Sequence, residues 1–219
     1  MVSVHVINSV NGHLYRDELD QHYRIRRDIY IGEHKWRALV DRDGREADQF
    51  DYPGAVYLLA IDPKDGVVGG TRLLPSWKPT LLSAVFPQAA SVRPMPEGPD
   101  VWEWTRFFVV KSRREEHRLS RLGGQILCSM FEYLMEEGVR EMRSLAEAWW
   151  IPRIQGLGWR PRALGLPFPH DGLTLAGFSF DITQEALQSM RGIYDIDESC
   201  LVRRGLGEPL PVREDIHAI

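Results

Sequence analysis

The sequence has no apolar run approaching the roughly 20 residues of a membrane span. Its first twenty residues, MVSVHVINSVNGHLYRDELD, lack the basic segment and long apolar stretch of a secretion signal. Cysteine is scarce. The two present, Cys128 and Cys200, lie far apart and outside any C-x-x-C pattern, so neither a disulfide framework nor a thiolate metal site is expected. Free thiols in a reducing cytoplasm are the simplest reading. The seven histidines form no H-x-x-x-H pair and have no cysteine close by, so no metal site is expected from them either. Positive charge is not in excess: the net charge is -4, which offers no global basic field to nucleic acid. No repeat or linker divides the chain. One domain over residues 1–219 is expected, with a polar, proline-bearing tail from about residue 205 loosely held.

What is present is ordinary globular material, 43% hydrophobic and 26% charged, which argues against disorder. Residues 14–31 carry apolar side chains at mixed helical spacing and predict an amphipathic helix or two. The run AVYLLAI (55–61) reads as a buried strand. GVVGGTRLLP (66–75) reads as its hairpin partner after a Lys64-Asp65-Gly66 turn. Proline density then rules out regular structure over most of the stretch to Pro99. VWEWTRFFVV (101–110) is a further strand. Leu119, Leu122, Ile126, Met130 and Leu134 recur at three and four residues, predicting a helix over 118–137 that stops at Gly138. A strand over 140–150, a short helix at IPRIQGLGW, a strand at LTLAGFSFDI and a short helix at QEALQSMRGI complete the reading.

Hairpin, strand, long helix, strand, short helix and strand give an α/β three-layer sandwich with a central mixed sheet. The order resembles the fold of CoA-dependent N-acetyltransferases, in which the long helix follows the central strand. That resemblance implies a thioester's phosphopantetheine arm near the helix start. Here the start follows KSRREEHRLSRLGG, with Arg113, Arg114, Arg118, Arg121 and the pair Gly123-Gly124. Exposed N–H groups and nearby arginines suit a phosphate, although the R-x-x-G-x-G/A pattern of that fold is absent. The plain alternative is a solvated helix cap with alternating charges.

The charged residues of the front half are harder to dismiss. EADQFD (46–51) sets Glu46, Asp48 and Asp51 around one phenylalanine. Arg26 and Tyr30 lie four apart, with Trp36 beyond. Arg72 stands in GGTRLLP, and Glu103 and Arg106 stand inside the apolar strand WEWTRF. Half-buried charges are costly unless paired, so Asp48, Asp51 and Glu103 are the natural partners of Arg72 and Arg106. An ion-pair network that only fixes the sheet would explain this much.

The same residues resemble, in register, the acyl-homoserine-lactone synthases, the autoinducer synthases of bacterial quorum sensing. Arg26, Tyr30 and Trp36 match the opening motif of that family, with tyrosine where its members usually carry phenylalanine. Asp48 and Asp51 match the E-x-D-x-x-D segment, Arg72 the strand arginine, Phe86 the phenylalanine of SAVFP, and Glu103 with Arg106 the W-E-x-[ST]-R element. The resemblance spans about residues 26–106, and only the outline of the last third.

It implies an enzyme that joins an acyl thioester to S-adenosylmethionine, with no permanently bound cofactor and with acyl-CoA or acyl carrier protein as donor. Glu103 is then the candidate general base for the substrate amine. Asp48 and Asp51 would favour its cationic groups, and Arg26, Arg72 or Arg106 would hold its carboxylate. Trp36 would cover a sulfonium or adenine face. Strict alternation would put Glu103 and Arg106 on opposite faces, so a bulge is expected between 102 and 106. Acyl selection falls to Trp104, Met142, Ser144 and Trp149, whose bulk suits a short branched or aryl chain. YIGEHKW and SWKPTLLSAVFP look most like the acyl-CoA branch. The competing readings are an N-acyltransferase of this fold acting on another amine, and an inactive ligand-binding relative.

Overall fold

The computed structural model describes residues 2–116 and 119–207. The chain begins with strand β1 (Ser3–Ile7) and helix α1 (Arg16–Arg26), which runs directly into a π-helical segment, Arg27–Glu33. A small ribbon follows, β2 (Asp41–Arg42) and β3 (Arg45–Glu46), turned through Asp43 and Gly44 at positive φ. Next come β4 (Val56–Asp62), β5 (Gly66–Pro75), the short helix α2 (Leu81–Ala84) and β6 (Val101–Val109). Helix α3 (Arg121–Glu136), β7 (Glu141–Glu147) and α4 (Trp150–Gly156) follow. The last elements are β8 (Arg162–Ala163), β9 (Phe168–His170), β10 (Leu173–Asp181), α5 (Gln184–Tyr194) and β11 (Leu201–Val202).

Nine of these strands form one mixed sheet among the described residues, in the order β11-β1-β4-β5-β6-β7-β10-β8, with β9 also on β10. Neighbours from β1 to β6 are antiparallel, whereas β6 and β7 are parallel. The α/β three-layer fold expected from the acetyltransferase resemblance is the one found. Alternation along β4 divides its side chains between the two faces. Val56, Leu58 and Ala60 pack with α3, and Tyr57 and Leu59 pack with Tyr15, Ile29 and Tyr30 at the front.

Helix α3 starts where Ser120 caps it, accepting a hydrogen bond from the Gly123 N–H (3.3 Å), and stops at Gly138, whose φ is +71°. Its apolar stripe, Ile126, Leu127, Met130, Phe131 and Leu134, is fully buried. Each such side chain contributes about 1.5–3 kcal/mol relative to exposure. Close approach to the sheet depends on Gly69, where a Cβ would lie 2.7 Å from Ile126 Cδ1.

The hairpin, the long helix and its neighbours lie where the periodicities put them, within a few residues. Strand β1 was not expected, because SVHVI offers only a short, half-polar alternation. Strands β8, β9 and β11 are two or three residues long, too short for any pattern. The proline stretch is irregular as expected, apart from α2 and a 3-10 turn at Pro87–Ala90. Of the expected loose tail, residues 208–219 lie outside the described residues. No described helix is long and apolar enough to cross a membrane.

Candidate active site

The bulge in β6 organises the front face. Between Arg72 and Gly70, β5 advances two residues while β6 advances three, from Thr105 to Phe108, and Arg106 takes a left-handed φ of +54°. The bulge thus lies at Arg106–Phe107, at the far edge of the expected span. Before it, Trp102 and Trp104 face the back and Glu103 and Thr105 the front. After it, Phe108 faces the front and Val109 the back. Arg106, which alternation would turn towards the back, therefore reaches the front acids.

Three arginines and three carboxylates close into one buried network there. Arg26 donates from Nε to Glu46 (2.6 Å) and from both terminal nitrogens to Asp51 (2.7 and 3.0 Å). Arg72 grips both oxygens of Asp48 (2.6 and 3.1 Å), lies 2.9 Å from Asp51, and donates from Nε to the Thr105 hydroxyl (3.0 Å). Arg106 donates to Glu46 (3.0 and 3.2 Å) and to Asp48 (2.8 Å). The acid loop is braced internally, since the Asp48 N–H donates to Asp51 and the Phe50 N–H to Asp48, 2.8 Å each. Tyr57 adds a hydroxyl bond to Asp51 (2.8 Å).

Burial alone would push these carboxyls up. For Glu46 the guanidiniums of Arg106 and Arg26 outweigh it, and for Asp51 those of Arg72 and Arg26 do. Arg72 does the same for Asp48, so all three end below their ordinary values. Glu46 and Asp48 also wall a cavity of about 330 Å³ together with Leu39, Arg42 and Gln49.

Glu103 belongs to a separate cluster on the same face, and this corrects the expected pairing with Arg72 and Arg106. Its carboxylate accepts from the Leu82 N–H (3.0 Å), from the Thr80 hydroxyl and from Arg143 Nε (3.3 Å). It is 1% exposed, and burial raises its carboxyl above the ordinary value in spite of these donors. Arg143, wholly buried, spends its other nitrogens on the Pro96 carbonyl (2.7 Å) and the Thr80 hydroxyl (2.9 Å). The pair thereby pins the proline-rich stretch to the sheet. Arg143 and Thr80 were not singled out from sequence. The available signal was a guanidinium alternating with Met142 and Ser144 in a strand; its place opposite Glu103 in parallel register is visible only in the fold.

Tyr30 and Trp36 stack at 4.9 Å, and the Arg106 guanidinium lies 5.3 Å over the Tyr30 ring. The Tyr30 hydroxyl donates to the Phe107 carbonyl at the bulge (2.9 Å). Phe86 is not with the network. It packs on His170 (5.0 Å) and Phe168 (6.3 Å) beyond α2.

The expected acyl residues divide. Trp104, Met142 and Ser144 are buried on the back face, Ser144 donating to the Trp104 carbonyl (2.9 Å). Trp149 is at the surface, stacked on Trp150. Strands β6 and β7 pair only from Val101–Trp104 and then part, and Phe107, Trp104 and Trp150 stand beside that opening.

At the start of α3 the expected phosphate ligands have other partners. Arg113 pairs with Asp62 and Asp65, Arg114 with Glu33, and Arg121 donates to the carbonyls of Tyr194 and Asp195. The Arg121 N–H donates to Glu115. Gly124 is a packing glycine, since its Cβ would meet the Tyr194 ring at 2.4 Å; a Cβ on Gly123 would meet Leu119. Arg118 lies outside the described residues.

The chain matches the autoinducer synthase family over residues 11–190. The isovaleryl-homoserine lactone synthase of Bradyrhizobium diazoefficiens is 40% identical over 184 residues, covering 84% of this chain and 82% of that protein. Among solved structures, the CoA-dependent acyl-homoserine lactone synthase BjaI, with SAM and isopentyl-CoA, superposes with a TM-score of 0.86 at 36% identity over 93% of both chains. The CoA-dependent synthase MesI superposes with a TM-score of 0.82 at 36% identity, over 90% of this chain and 98% of MesI.

Proposed function

This chain belongs to the autoinducer synthase family and is an acyl-homoserine-lactone synthase, and we propose that it acylates S-adenosylmethionine from a short branched or aryl acyl-CoA. The substrate amine attacks the thioester carbonyl, an amide forms, and the C–S bond breaks to release CoA thiol. The substrate carboxylate then attacks its own γ-carbon. The bond from that carbon to the sulfonium breaks, and neutral methylthioadenosine leaves as the lactone closes.

The observation that carries the reading is the acid wall of the 330 Å³ cavity, formed by Glu46 and Asp48 beside Arg26, Arg72 and Arg106. Asp48, the most exposed of the three acids, faces the sulfonium of the cosubstrate. The arginines keep those acids ionised and fixed in place. Trp36, already stacked on Tyr30, offers an indole surface to the cation.

Glu103 is our proton acceptor. Its raised carboxyl titrates nearer neutrality, and the Thr80 hydroxyl bonds both to it and to the half-buried Ser83 hydroxyl (3.1 Å). It therefore works through that hydroxyl pair and does not touch the amine itself. The acyl group enters where β6 and β7 part, and the rings of Trp104, Phe107 and Trp150 limit its length. Met142 and Ser144 lie behind them, while Trp149 stands at the rim. The donor's phosphates approach Arg113 and Arg114, whose exposed ion pairs are weak enough to exchange for a phosphate, and Arg121, which is held by the carbonyls of Tyr194 and Asp195.

Methylthioadenosine release on mixing the protein with S-adenosylmethionine and isovaleryl-CoA tests the reading, with mass spectrometry of the lactone. Release with isovaleryl-CoA or an aryl-CoA, and not with the same acyl group on carrier protein, is expected. Thiol release with another amine and no methylthioadenosine would refute it.

A further inference from the structure

Arg143 is a wholly buried guanidinium that the chemistry proposed so far leaves unused. A charge so placed is costly unless its donors are met. Nη1 donates to the Pro96 carbonyl (2.7 Å) and Nη2 to the Thr80 hydroxyl (2.9 Å), whereas Nε reaches Glu103 at 3.3 Å. A residue placed to neutralise Glu103 would grip both its oxygens at about 2.7–2.9 Å. The better bonds of Arg143 go instead to the segment that carries the hydroxyl pair.

The Thr80 hydroxyl has one proton and two lone pairs to place. Three partners surround it: Glu103, Arg143 and the Ser83 hydroxyl, the last at 3.1 Å. A guanidinium only donates, so the Arg143 bond takes one lone pair. Glu103, when ionised, only accepts, so it takes the proton. The remaining lone pair faces Ser83, whose own oxygen accepts from the Thr80 N–H (3.0 Å). The Ser83 O–H then donates to Thr80. Without Arg143 the Thr80 proton is free to swing to Ser83, which breaks the line to Glu103.

We propose that Arg143 is the positioning residue of the proton acceptor, fixing the direction of the Thr80 hydroxyl so that protons pass from Ser83 through Thr80 to Glu103. The proposal rests on the synthase reading and on Glu103 as acceptor. In the transfer the amine's proton bonds to the Ser83 oxygen, Ser83 passes its own proton to Thr80, and Thr80 passes its own to Glu103. The amine nitrogen keeps the electron pair for the thioester carbonyl, and Glu103 ends as the neutral acid. Arg143 itself exchanges no proton. Nor does its charge hold Glu103 ionised, because burial raises that carboxyl in spite of it. Glu103 is faced by Arg143 from β7, with the Glu97 carboxylate 3.8 Å beyond that guanidinium, and by the Tyr52 phenol, which stands in its field.

Steady-state release of methylthioadenosine from S-adenosylmethionine and isovaleryl-CoA, followed against pH, tests the assignment. Arg143→Gln stays polar but brings an acceptor, which lets the Thr80 proton turn away. Its kcat should fall about tenfold or more, with KM for both substrates within about twofold of wild type. The acid limb of its profile should move to higher pH, because a positive neighbour of Glu103 is gone. Arg143→Lys, a donor-only cation, should recover most of the rate and keep the limb in place. In a Glu103→Gln background Arg143→Gln should cost no further rate, since the line then has no end point. Wild-type kcat in folded Arg143→Gln, an equal loss in Arg143→Lys, an unmoved acid limb, or the full loss repeated in the Glu103→Gln background overturns the assignment. Wild-type protein that releases no methylthioadenosine overturns the synthase reading, and the assignment falls with it.

Discussion

Two clusters on one face use the same residue types and end in opposite electrostatic states. In the network of Arg26, Arg72 and Arg106, each of Glu46, Asp48 and Asp51 meets two guanidiniums or accepts both nitrogens of one, and each stays below its ordinary value. A few residues along β6, Glu103 meets one guanidinium through a single 3.3 Å contact, and burial lifts its carboxyl instead. Burial acts on both clusters, so the number and geometry of cationic partners decide the sign. A carboxylate that must attract a cation is kept ionised. One that must take up a proton is left short of positive charge.

The sharpest way to break this contrast is Asp51→Asn. It leaves Arg26 and Arg72 under-compensated in the interior and should cost about 3–5 kcal/mol of stability, measured by urea unfolding. A loss under 1 kcal/mol would mean that the network is not held by its charges. Glu103→Gln keeps the shape of the cluster, so the fold should persist while kcat falls at least about 100-fold. Near-normal turnover by the folded variant would remove Glu103 from proton transfer.

The pH response separates the clusters further. Depressed carboxyls add stability that is present above the ordinary carboxylate range, near pH 4, and is lost as pH falls below it. A raised carboxyl does the reverse, favouring the fold at low pH and losing that advantage as pH rises through its folded value. Wild-type protein should therefore destabilise steeply below about pH 4. The stability of Glu103→Gln relative to wild type should rise from pH 4 to pH 7. A flat difference between the two melting curves would contradict the raised Glu103. The smallest effect belongs to Tyr30→Phe, which removes one hydroxyl bond at the bulge. About 1 kcal/mol of stability should be lost with little change in kcat, because the stack on Trp36 survives.

Much of this was readable in advance, for local reasons. The hairpin and α3 announce themselves because burial is periodic and their turns carry Gly66 and Gly138. The acids and arginines of the network are conspicuous because charges in apolar strands require partners. Which charge meets which is a different matter. Glu46, marked only by the acid run, turns out to join Arg26 to Arg106. Glu103 belongs to Arg143, forty residues on, through a parallel pairing that no local pattern encodes. The arginines before α3 looked like phosphate ligands because sequence shows a cluster of charge without showing that Asp62, Asp65 and Glu33 face it.

The extra residue in β6 makes the strand a counting device. Straighten it with every residue kept and every later side chain changes sides: Arg106 would point into the aromatic layer around Trp104 and Trp159, and Phe108 would leave the front core. Changes of length should therefore be far rarer at those few positions than in the loops on either side.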